Sequence, residues 1–108
     1  MQIKRSIIIE AVEQGIAAAR LADGQAAKLR HVAATTKKLG ANFSDTPGCV
    51  WTQAFGEPNG ACIMRGDDSC ETFAYAYDDA LNTAVAGSAF EGADFWLRAG
   101  REGLDVVA

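Results

Sequence analysis

Four side chains in this sequence, His31 with Cys49, Cys62 and Cys70, are of the types that ligate zinc. Twelve residues separate the first two cysteines and seven the last two. No Cys-x2-Cys knuckle pre-forms half of a tetrahedron, so the spacing favours three reduced thiols in an apolar core over a metal centre. The acid pairs Asp67-Asp68 and Asp78-Asp79 are the other chemistry on offer, a hard-cation site or an acid and base pair. Both stand where a turn and a helix cap already favour Asp. His31 is the only histidine, and no nucleophile is tied to it by local spacing. With no phosphate loop, triad or metal box legible, the expectation is a protein that is not an enzyme and needs no metal or cofactor.

A length of 108 residues fits one domain, and 49% hydrophobic with 22% charged residues is the composition of a globular chain rather than a disordered one. The apolar run at residues 7–9 is too short for a signal-peptide core or a membrane span, although Lys4 and Arg5 precede it. That reading gives a cytoplasmic protein with no membrane partner. Charge divides the chain at Gly40. Residues 1–40 hold seven Lys or Arg against three acids, a net +4, and residues 41–108 hold three Arg against eleven acids, a net −8. The asymmetry predicts an acidic face that attracts basic partners and repels phosphate backbones.

The elements that must position these groups follow from periodicity. Ser6 is placed to cap a helix with Ile9, Val12, Ile16 and Ala19 on one face. Leu29, Val32, Thr36 and Leu39 form a second stripe on the opposite side, and the phase change falls at Gly24. Either one rod or two helices fits residues 1–40; a break at Gly24 is favoured, with Lys37, Lys38 and Gly40 ending the second piece. Residues 49–55, 61–65 and 70–77 read as three strands joined by turns at residues 56–60 and 66–69. Asp78 is expected to cap a helix running to about residue 99. One face of it (Leu81, Ala84, Val85, Ser88, Ala89, Gly92, Phe95, Trp96 and Ala99), small in its middle, is expected to receive sheet aromatics Trp51, Phe55, Phe73 and Tyr75. Residues 102–108 form a tail that frays or adds an edge strand. The fold class is therefore α+β: an N-terminal helix or helix pair, a three-stranded antiparallel meander over residues 41–77, and a C-terminal helix over residues 78–101 packed on the sheet.

The order helix, three antiparallel strands, helix is similar to that of the double-stranded RNA-binding domain. That family grips phosphate with a basic cluster opening its last helix, where this chain has Asp78 and Asp79. Asp45-Thr46-Pro47-Gly48-Cys49 and Asp79-Ala80-Leu81 resemble fragments of the antitoxin partners of small RNA-cleaving toxins, which implies a regulatory role. In those proteins a strand pair precedes the first fragment; here helices do. Arg65-Gly66-Asp67 spells the integrin-recognition tripeptide and is read as a turn.

The functional expectation is a small acidic interaction module that inhibits or regulates a protein partner with a basic surface, in the style of anti-CRISPR and DNA-mimic inhibitors of phages and mobile elements. Its expected contact residues are Glu57, Asp67, Asp68, Glu71, Asp78, Asp79, Glu91 and Asp94. Phe90 and Leu97, on an apolar line with Ala86 and Ala93, are expected either to be covered by the N-terminal helices or to form a homodimer or partner interface. The alternative is a nucleic-acid-binding or antitoxin-like regulator using Arg20, Lys28, Arg30, Lys37 and Lys38.

Overall fold

The computed structural model describes residues 1–40, 48–56, 68–85 and 101–108. Strand β1 (Gln2–Lys4) runs without a turn into helix α1 (Arg5–Ala19), which is followed by α2 (Asp23–Thr35), β2 (Lys38–Leu39), α3 (Val50–Phe55), α4 (Asp68–Val85) and β3 (Leu104–Val107). The mixed α and β composition agrees with the sequence expectation, but the strands among the described residues lie elsewhere and their pairing is mixed.

β3 is the central strand. β1 pairs with it in parallel, Ile3 opposite Val106, and β2 pairs with it antiparallel, Leu39 opposite Leu104. Alternation sends Ile3, Leu39 and Leu104 into the core, while Gln2, Lys38 and Asp105 face outward. Lys38 and Asp105 are directly opposite, an unlike-charge pair of the kind that fixes register. The segment expected to be a fraying tail or an edge is thus the strand on which the sheet depends.

The N-terminal region is two helices. The break comes at Arg20, whose φ of 51° is left-handed, and not at Gly24, which lies in the first turn of α2. The amides of Arg20 and Leu21 donate back to the carbonyls of Ala17 and Ile16, the Schellman arrangement that ends a helix. α1 starts one residue before Ser6, so Ser6 is not its cap. The buried face of α1 is Ile8, Ala11, Val12, Gly15 and Ile16, and Ile9, expected inside, is 42% exposed. The second stripe is correct: Leu29, Val32, Thr36 and Leu39 are all buried, although α2 ends at Thr35 and Lys38 with Leu39 form β2 in place of a last turn.

The two helices lie antiparallel. Arg5, at the start of α1, donates from Nη1 to the Ala33 carbonyl at 2.9 Å and from Nη2 to the Thr36 carbonyl at 2.8 Å, satisfying the last turn of α2. Further along, Arg30 pairs with Glu13 through both carboxylate oxygens, at 2.6 and 3.0 Å.

The expected meander is overturned at both of its described strands. Residues 50–55 are α3 and residues 70–77 lie within α4; the middle strand, residues 61–65, falls outside the described residues. α3 is started by Cys49, whose Sγ accepts from the Thr52 amide at 3.3 Å, and ended by Gly56 at φ +68°. In α4 the inward residues Cys70, Phe73, Ala74, Tyr77 and Leu81 repeat at helical spacing. The alternation of Phe73, Tyr75 and Tyr77 that suggested a strand is broken by Tyr75, which is 66% exposed. Asp78 lies in the middle of α4 and is not its cap. The expected helix beyond residue 85 lies outside the described residues up to Arg101 and Glu102, which are helical.

The expected packing of sheet aromatics on a small-residue helix face is overturned: Phe73 and Tyr75 share α4 with Leu81 and Ala84, and Tyr75 and Ala84 are exposed, so the aromatic contacts that form lie within and between helices. Trp51 of α3 sits 4.5 Å from Phe55 and 5.3 Å from Phe73 between ring centroids, and Phe73 stacks on Tyr77 at 5.5 Å. α4 lies against α1, and α3 against α2, so the Trp51–Phe73 contact joins the two helix pairs. The expectation of three reduced thiols is corrected at Cys70, which is disulfide-bonded, while Cys49 is free and buried. Cysteine spacing carries no information about which thiols the fold brings together.

Candidate functional site

Helix α4 gathers the expected acidic residues that fall within the described chain. Taking Tyr75 as origin and 100° per residue, Asp68, Glu71, Asp79 and Asn82 all fall within 40° of it, one per turn at spacings of 4 and 3 residues. Asp79 is exposed and Glu71 half-buried. Asp78 is half-buried at the edge of this stripe. The stripe lies opposite the buried face of Phe73 and Tyr77. Sequence reading assigns these acids to a turn, a strand and a cap; in the structure they share one helix, with Glu71 and Asp79 one turn to either side of Tyr75. Glu57, Asp67, Glu91, Asp94, Phe90 and Leu97 lie outside the described residues.

Behind the stripe, Tyr77 is fully buried. Its hydroxyl has no hydrogen-bond partner among the described residues. Burial pushes its ionisation well above the usual range for a phenol, and the nearby Asp78 and Cys49 add to the rise.

The basic residues lie on three elements. Arg20 ends α1, Lys28 and Arg30 stand on α2, and Lys37 and Lys38 follow its end; all five are exposed. The Arg30 guanidinium is engaged by Glu13, and its hydrogen bonds hold the Glu13 carboxyl below its ordinary range, against a smaller opposing effect of burial. Lys28 has no carboxylate within ion-pair distance among the described residues; its Nζ lies 5.8 Å from the centroid of the Phe55 ring.

Lys28 also borders a groove of about 320 Å³ between α2 and α3, lined by Ala27, Lys28, His31, Val32, Gln53 and Ala54. The sequence did not disclose it, since one wall comes from residues read as a strand. Gln53 holds that wall in place. Its Nε2 donates to the carbonyls of Lys38 and Gly48, at 3.0 and 2.6 Å, and its Oε1 accepts from the Thr36 hydroxyl at 2.9 Å. Among the described residues no three His, Cys, Asp or Glu side chains are grouped to hold a metal, and no helix is long and apolar enough to cross a membrane. Comparison with protein-family models, with curated proteins and with solved structures finds no match to this chain.

Proposed function

We propose that this chain is a non-enzymatic interaction module that binds a protein partner through a basic surface on that partner and inhibits or regulates it, in the manner of DNA-mimic and anti-CRISPR inhibitors. The observation that carries the reading is the exposed ring of Tyr75 with Glu71 and Asp79 one turn to either side on α4. A large exposed aromatic with acids at its rim is the combination that anchors an interface: the ring supplies buried area, and the carboxylates steer a cationic partner and fix its register. The net −8 of residues 41–108 supports the same polarity of attraction.

The test is capture from the native cell by the wild-type protein and by a Tyr75→Ser, Asp79→Asn variant, with association kinetics measured on whatever is retained. A basic protein held by the wild type, with association slowed about tenfold and a flatter salt dependence in the variant, is the expected result. Equal retention by both proteins removes α4 as the interface.

A further inference from the structure

We propose that the groove between α2 and α3 is a second binding site, one that takes an acidic amphipathic peptide segment. Its apolar lining is exposed Ala27, buried Val32 and half-buried Ala54. The polar atoms of Gln53 are spent on Lys38, Gly48 and Thr36, so this residue shapes the groove without reading a ligand. Recognition therefore falls to Lys28 and His31, three residues apart on α2 and both exposed. Lys28 carries an uncompensated charge among the described residues, and its position near the Phe55 ring keeps the ammonium at the rim. A volume of about 320 Å³ suits a few side chains of a helix or extended peptide.

The occupant is selected by the pairing of lining and rim. An apolar lining needs aliphatic or aromatic side chains, and the Lys28 ammonium, with the His31 imidazole on the same helix face, needs a carboxylate beside it. A polynucleotide fits less well, since it requires a row of phosphate contacts, and Arg30, the next cation on α2, is already engaged by Glu13. This site has the opposite polarity to the α4 stripe and shares no residue with it, so either can fail without the other.

The test titrates isotopically labelled protein with a blocked peptide of three Glu-Leu-Leu-Glu repeats and follows backbone amide shifts. Controls are the same peptide with Gln in place of Glu and a thymidine dodecamer. Shifts confined to residues 27–32 and 53–55 are expected, with binding weakened about tenfold by Lys28→Glu and by Ala27→Phe, which fills the groove from an exposed position. No shift at millimolar peptide, shifts centred elsewhere, or equal binding of the Gln peptide overturns the proposal. So does unchanged affinity in Lys28→Glu, or tighter binding of the oligonucleotide. Unchanged amide spectra of the two variants away from the groove establish that they fold.

Discussion

The Phe73 ring occupies the space that a side chain on Gly15 would need: a β-carbon built there would lie 2.5 Å from Cδ2 of the ring. The glycine lets α1 and α4 approach closely enough for Phe73 to be fully buried between them. Gly15→Ala gains about 1 kcal/mol in helix propensity and incurs an overpacking cost of about 1–3 kcal/mol, so the net change is expected to be destabilising. In a Phe73→Leu background the clash is relieved, and the same change should become neutral or stabilising. A double-mutant cycle from urea unfolding measures that reversal; additive effects would mean that the ring and the glycine do not meet.

Arg5 is the connection between the first turn of α1 and the last of α2. Replacing it with Met removes two charge-assisted hydrogen bonds and strands the Ala33 and Thr36 carbonyls, at an expected cost of about 1.5–3 kcal/mol. Arg5→Lys should recover only part of this, because one ammonium does not reproduce the planar fork that meets both carbonyls. The check is a lowered urea midpoint with an unchanged slope.

Tyr77 predicts an alkaline limit to stability. Its folded-state ionisation is raised above that of the unfolded chain, so above about pH 10 the unfolded state releases a proton that the folded state retains. Stability that is complete below pH 10 should then fall by about 1.4 kcal/mol per pH unit from this group alone. Tyr77→Phe should be neutral to mildly stabilising at pH 7, since it deletes a buried hydroxyl without a described partner, and should show a shallower alkaline decline. Parallel pH curves for the two proteins would refute the assignment.

Cys70 and Cys49 differ in redox state, and a thiol assay distinguishes them. With three cysteines in the chain, Cys49 free and Cys70 bonded, protein denatured without reductant should present one reactive thiol and reduced protein three. Reduction should also lower stability, by about 2–4 kcal/mol. Three thiols before reduction would refute the disulfide at Cys70.

The legible parts of the sequence were those in which packing follows a single period. Leu29, Val32, Thr36 and Leu39 were correctly placed in the core, and Trp51 and Phe73 were correctly read as core aromatics. The strand reading of residues 49–55 failed because strand propensity gave way to a local start signal, the Cys49 cap, with Gly56 as the stop. The reading of residues 70–77 failed for a related reason. Aromatics at every second residue masked the helical series Cys70, Phe73, Tyr77 and Leu81, which the sequence did contain. Arg20 carried no warning of its left-handed turn, since glycine is the residue normally expected there. The pairing of β1 with β3 was beyond local inspection, because it joins residues about a hundred positions apart. Of the candidate site, the acids of α4 were visible as charges, but their alignment into a stripe depends on the helix that the strand reading had replaced.

Strand order also constrains how this protein is made. β1 and β2 both hydrogen-bond to β3 and not to each other. While the ribosome is still adding the residues before position 104, the first strand has already emerged with nothing to join. The antiparallel helix pair held by Arg5 can form early from neighbouring sequence, whereas the sheet closes only in a late step with a large loop to bring together. Until then the open edges of β1 and β2 are exposed to other nascent chains, and a chaperone that shields them would act in that interval.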